Sequence, residues 1–94
     1  MKTVHITIHG RVHGVGFRQF VKSNAVKLGI VGWVQNTDEK TVECMFQGED
    51  KTVDQIVELC NIGPMLSDIK KVDVHVMEET FPYETFPYET FEVL

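Results

Sequence analysis

Residues 3–9 alternate without a break, with Val4, Ile6 and Ile8 on one side and Thr3, His5, Thr7 and His9 on the other. A period of two built on β-branched residues predicts a strand with one buried face. The period then lengthens. Phe17, Phe20, Val21, Ala25 and Leu28 fall at i, i+3, i+4, i+8 and i+11, one stripe of a helix. Gly29 is placed to end that helix in a left-handed conformation. The short apolar runs 30–36 and 41–47 predict two strands, joined as a hairpin by residues 37–40. Residues 48–51 break the pattern. Val53, Ile56, Val57 and Cys60 then make a second helical stripe, with Thr52 and Gln55 spaced as a capping box at its start. Gly63 and Pro64 stop it. Residues 70–77 alternate again, with Val72, Val74 and Val76 expected to face inward, and 91–94 predict a short terminal edge strand.

The order is therefore β-α-β-β-α-β plus a short last strand. A right-handed βαβ crossover leaves a gap between the first two strands, and the third, paired to the second by the hairpin, fills it. The expected fold class is α+β: a ferredoxin-like split β-α-β sandwich, with an antiparallel sheet and both helices on one face. At 94 residues the chain is expected to be a single domain, 1–94.

Composition narrows the functions available. The net charge is −5, so the basic footprint of a nucleic-acid binder is missing, although a small anion needs only one well-placed cation. The N-terminal ten residues alternate and hold no continuous apolar stretch, which excludes a signal peptide or a membrane span there. A cytoplasmic, monomeric protein is the expectation. Cys44 and Cys60 sit in apolar patterns and read as buried thiols, not as a disulfide framework.

The candidate chemistry lies in "GRVHGVGFR", residues 10–18, where a glycine-rich loop joins the first strand to a helix start. Glycines let successive N–H groups point to one spot, the first helical N–H groups have no intrahelical partner, and the helix dipole adds positive charge. Arg18 contributes a full charge and a planar fork of donors. This is a phosphate or carboxylate site; the competing reading is a tight turn with a solvated arginine. It is not a Walker A loop, since no Lys-Ser or Lys-Thr follows the glycines. Gln19 occupies the third glycine position of a dinucleotide fingerprint, which excludes that motif. "GVGFRQF" also echoes an RNA-recognition strand, but it sits in a loop and lacks stacking aromatics.

"GRVHGVGFR" followed by "GWVQNT" resembles the acylphosphatases, whose signatures read approximately G-x-V-Q-G-V-x-F-R and G-W-V-x-N-x-x-x-G. The resemblance runs over almost the whole chain. It implies the fold argued above and metal-independent hydrolysis of small acyl phosphates to a carboxylate and inorganic phosphate, with no cofactor. It implies Arg18 and Asn36 as catalytic residues and a phosphate-binding loop of His13, Gly14, Val15, Gly16, Phe17 and Arg18. His13 replaces the usual glutamine. Lys40 replaces the hairpin glycine and strains the turn if positive φ is required there.

Those groups suffice for the chemistry. A carboxylate leaves without a general acid, because its conjugate acid has a pKa of about 4. What remains is to hold the phosphoryl group, spread its charge and place a water in line. Arg18 and the loop N–H groups suit the first two tasks, and Asn36, near the end of the second strand, suits the third. A turn-forming asparagine is the alternative for Asn36. Trp33 reads as packing. His5, His9 and His75 share the sheet face away from the helices, where exposed polar positions are the ordinary reading and a surface metal site the other. Two further functions compete: a non-catalytic anion-binding or regulatory module on the same fold, and a relative acting on carbamoyl phosphate within a larger enzyme.

One segment stands outside this pattern. In residues 79–91 the unit Glu-Thr-Phe-Pro-Tyr occurs twice, and its first three residues a third time. Pro82 and Pro87 cannot donate to a strand ladder and disfavour helix at the residues before them, which predicts an extended connection to the last strand. Phe81, Phe86 and Phe91 each follow Glu-Thr, so each competes to begin the edge strand. Only Phe91 leads into a proline-free run, and it is expected to win.

Overall fold

The computed structural model describes residues 1–77 and 88–94. Its elements are β1 (Lys2–Arg11), α1 (Phe17–Lys27), β2 (Val31–Asn36), β3 (Thr41–Gly48), α2 (Asp50–Ile62), β4 (Asp68–Val76) and β5 (Phe91–Val93). The sheet order is β4-β1-β3-β2-β5. β3 lies antiparallel between β1 and β2, which is the split β-α-β arrangement. Val4, Ile6 and Ile8 of β1 face Phe46, Cys44 and Val42 across β3. They form one buried cluster with Phe17, Val21 and Ala25 of α1 and Val53, Ile56 and Cys60 of α2. The alternation in the sequence therefore reports a single core beneath two helices on one face.

One expectation is corrected. The sheet is mixed, because β5 runs parallel to β2. β4 and β5 occupy opposite edges and run in opposite directions, so β5 enters from the end of the sheet at which β4 leaves. Phe91 begins that strand, as its proline-free context required. It is 3% exposed and stacks on Phe46 with ring centroids 5.7 Å apart. Phe81 and Phe86, and the first two copies of the repeat apart from Tyr88, fall outside the described residues.

Three local expectations also change or gain detail. The second helix starts three residues earlier than the Thr52 capping box implied, with Glu49 at its N-cap and no side-chain cap. Thr52 is already inside the first turn, where its hydroxyl donates to the Glu49 carbonyl at 3.0 Å. Val74 and Val76 pair with Ile6 and Val4 and so face the helix side, yet they are 47% and 51% exposed. β4 is the outer strand there, and the helix layer does not extend over its far end. Gly29 closes α1 as expected, at φ 68. Its N–H donates to Val26 and the Ile30 N–H to Ala25, the paired bonds that satisfy the last carbonyls of a helix.

The end of β1 matters most for the site. A register shift falls between His9 and Gly10, and Gly10 sits at φ 137. A Cβ there would run into the Asp68 carbonyl oxygen, while the Gly10 N–H donates to the Lys40 carbonyl at 2.9 Å. Gly10 thus lets β1, the start of β4 and the β2–β3 hairpin meet at one point just before the loop. Gly10→Ala is expected to cost on the order of 2 kcal/mol, from a positive φ and a backbone clash together. Urea unfolding measures it, and a midpoint unchanged from wild type would remove this role from Gly10.

Candidate active site

The chain leaves β1 at Arg11 and reaches α1 at Phe17 within five residues. Gly14 and Gly16 lie at φ 69 and φ 77, a conformation that costs glycine little and other residues more. Two left-handed residues so close turn successive N–H groups to one side, which is the geometry of an anion nest. Space above both glycines is open: a Cβ on either would meet nothing within 4 Å. Gly16 is itself the N-cap of α1 and brings no capping side chain. The first intrahelical bond runs from the Phe20 N–H to the Gly16 carbonyl. The N–H groups of Phe17, Arg18 and Gln19 come before it and remain open to a ligand at the positive end of the helix dipole.

A cavity of about 360 Å³ opens over this turn. Its walls include His13, Gly14, Gly16, Phe17, Arg18 and Asn36. The structure thus brings Arg18 and Asn36 together, although they are 18 positions apart in the chain and on different elements. Arg18 is half-buried, and its Nη1 donates to the Leu94 carbonyl at 3.3 Å, which holds the guanidinium beside the end of β5. Asn36 is exposed at the last position of β2, and its side-chain amide has no partner among the described residues. Val15 alone of the expected loop residues does not line the cavity; its side chain packs against the core. Gln19 and Val93 do line it. Sequence spacing gives no sign of Val93, because β5 reaches the site only through the sheet.

His13 has a further part in this geometry. Its Nε2 lies 2.7 Å from the Thr41 carbonyl oxygen and donates to it, since a carbonyl only accepts. The same oxygen accepts the Thr37 N–H at 3.2 Å. Thr37 follows Asn36, and its hydroxyl bonds the Thr41 hydroxyl at 2.8 Å. The loop is therefore tied to the hairpin that carries Asn36. Lys40 does not strain that hairpin, because no described residue other than glycine has positive φ.

The remaining candidates sit elsewhere. Cys44 and Cys60 are fully buried free thiols, and burial pushes the Cys44 thiol up, the reverse of what a nucleophile needs. Trp33 lies on the open sheet face edge-on to His5, at 5.9 Å. His5 and His75 are register partners. His9 bonds Asp73 at 3.0 Å, a contact that holds the Asp73 carboxyl below its ordinary range, with Lys71 adding to the effect. Among the described residues no three His, Cys, Asp or Glu side chains stand together as a metal site, and no helix is long and apolar enough to cross a membrane.

A split β-α-β sandwich with a strand–glycine loop–helix cradle and an arginine at its mouth is a small α+β domain with the geometry of an anion site. Comparison with known proteins narrows the class. The acylphosphatase family model matches residues 4–88. A Thiobacillus denitrificans acylphosphatase is 41% identical over 78 residues, covering 83% of this chain and 88% of that protein. The crystal structure of acylphosphatase from Bacillus subtilis superposes with a TM-score of 0.89 at 30% identity, covering 100% of this chain and 99% of that one. An acylphosphatase structure from Coxiella burnetii gives 0.87 at 28% identity, covering 99% and 92%. The chain belongs to the acylphosphatase family.

The tether makes a measurable prediction. One neutral hydrogen bond is worth about 1 kcal/mol, or roughly fivefold in rate if it serves only to align the loop and hairpin. His13→Ala is expected to lower turnover of an acyl phosphate by about that factor. His13→Gln keeps an N–H within reach of the Thr41 carbonyl and is expected to restore it. Equal rates in the two variants would show that the tether has no part in aligning the site.

Proposed function

We propose that this protein hydrolyses acyl phosphates to a carboxylate and inorganic phosphate in the cavity between the glycine loop and Asn36. The observation that carries the reading is the convergence of Arg18, the open N–H groups at the start of α1 and the Asn36 side chain on one cavity, in a chain of this family.

The phosphoryl oxygens sit in the nest of the 13–18 backbone, with the Arg18 fork across two of them. Charge that spreads over these oxygens in the transition state meets donors already in place. Asn36 accepts a hydrogen bond from a water and holds it in line with the leaving group. The water oxygen forms the new P–O bond while the bond from phosphorus to the acyl oxygen breaks. The carboxylate leaves with that electron pair. An amide is too weak a base to keep the water proton, which passes to a phosphoryl oxygen. Arg18 does not serve as base, since it does not deprotonate. The leaving group needs neither a general acid nor a Lewis acid, because its conjugate acid has a pKa of about 4.

The reading extends to a single domain that works as a monomer in the cytoplasm, with acyl phosphate and inorganic phosphate as its partners and neither nucleic acid nor membrane. One core shared by both helices and a net charge of −5 support it. Light scattering on the purified protein tests the monomer.

Release of benzoate from benzoyl phosphate in the presence of EDTA tests the activity. Binding of phosphate without turnover would instead make the protein an anion-binding module. Arg18→Ala is expected to lower kcat at least 10²–10³-fold, roughly the loss of one such donor, with the fold intact by circular dichroism. Arg18→Lys rescues poorly, because an ammonium makes no bidentate fork; wild-type turnover in that variant would show that charge alone matters.

Asn36→Ala lowers kcat and spares the inhibition constant of inorganic phosphate, since nest and arginine remain. If the two collapse together, Asn36 binds phosphate and does not orient water. Inorganic phosphate is expected to inhibit the wild type competitively, and a non-competitive pattern would place the anion site elsewhere.

A further inference from the structure

A second cavity, about 470 Å³, adjoins the first and shares Val12 and His13 with it as a common wall. Its charged lining is Arg11, Glu39, Lys40, Asp68 and Lys70. The chain has nine lysines and arginines and a net charge of −5. Four of the nine, Arg11, Arg18, Lys40 and Lys70, line these two adjoining cavities. Cations gathered against the overall charge point to an anionic ligand longer than one phosphate.

The pairing within the cavity is incomplete. Lys70 meets Asp68 at 2.8 Å. Arg11 and Lys40 form no ion pair among the described residues. Their backbones are nonetheless well placed. Lys40 is anchored by the bond from the Gly10 N–H to its carbonyl. Arg11 follows Gly10 directly, at the crowded meeting of β1 with the start of β4. His13, tied to the Thr41 carbonyl, forms the sill between this cavity and the phosphoryl site. An acyl chain that leaves the nest across His13 enters a space lined by a guanidinium and an ammonium that have no ion-pair partner among the described residues.

We propose that the second cavity receives an anionic group at the far end of the acyl chain, so that the preferred substrates are acyl phosphates bearing a second carboxylate or phosphate. The proposal rests on the first cavity being the phosphoryl site. Arg11 supplies the fork suited to a carboxylate or phosphate edge, and Lys40 a point charge beside it. Lys40 is also the position at which this chain departs from the glycine of the family signature. Glu39 opposes the ligand and limits its affinity.

The test compares kcat/KM for succinyl phosphate and butyryl phosphate, which have the same number of carbons and differ in a terminal carboxylate against a methyl. A third arm, 3-phosphonopropionyl phosphate, places a tetrahedral anion at that end. The wild type is expected to prefer succinyl to butyryl phosphate by about tenfold at low salt, the worth of two partly exposed charged contacts. The preference shrinks at high salt, falls towards unity in Arg11→Ala/Lys40→Ala and falls in part in Lys40→Gly. It holds in Lys40→Arg and rises in Glu39→Gln. Whichever of the carboxylate and phosphonate arms shows the larger ratio names the group the cavity reads. A wild-type ratio near one, with butyryl phosphate turned over normally, overturns the proposal and leaves the phosphoryl site standing. So does a ratio that the double variant leaves unchanged, which would place the second anion elsewhere. Failure to turn over any of the three overturns the hydrolase reading itself.

Discussion

β1 is paired on both edges, with β3 on one side and β4 on the other, and its apolar face is closed off from water. A strand held in that way has no freedom to slip, because a shift of one residue would expose Val4, Ile6 and Ile8 together. Its C-terminal end is therefore a fixed point, and the glycine loop starts from it. The far end of the loop is fixed as well, since Phe17, the first residue of α1, is buried in the same core. Five residues between two immobile ends leave the loop little choice but to turn its N–H groups outward at Gly14 and Gly16. The hydrophobic core and the anion nest are in this sense one structure.

The second side chain lining the cavity reaches it by a separate route. Asn36 comes from the end of β2, which does not touch β1 directly but lies beyond β3. Its position relative to the loop depends on the hairpin and on the bonds across to it: Gly10 to Lys40, and His13 to Thr41. Both link backbone or side chain of the loop region to one short stretch of β-turn. The proposed division of labour between loop and Asn36 would need close alignment of the two, and these two bonds tie the loop region to the hairpin without adding a charged group.

Electrostatically the molecule is divided. Its surface as a whole is acidic, while the end carrying the loop gathers Arg11, Arg18, Lys40 and Lys70 with a helix dipole. Such a distribution favours anions at one end of an otherwise acidic molecule. Arg18 is shared between two demands there, since its Nη1 also contacts the Leu94 carbonyl, a contact that limits the rotamers it samples and keeps its fork at the mouth of the cavity.

Much of this was legible in the chain itself. Strict alternation in β1, the 3.6-residue stripes of both helices and the glycines at 14, 16 and 29 are local signals, set by steric rules that act over a few residues. They determined the order of elements, the single buried face, the nest and the arginine at its mouth. Other features depend on which strands become neighbours, and no local rule reports that. The parallel pairing of β5, the exposure of Val74 and Val76 and the arrival of Val93 at the site follow from where the sheet ends. The N-cap at Glu49 and not at Thr52 was missed because the capping-box spacing is a side-chain signal, and this helix begins without a side-chain cap. The role of Gly10 was hidden because it lies in a close approach to Asp68, more than fifty positions away, and not in a ligand contact. The second cavity was hidden for the same reason: Arg11, Lys40 and Lys70 are far apart in the chain, and only the meeting of β1, the hairpin and β4 sets their charges side by side.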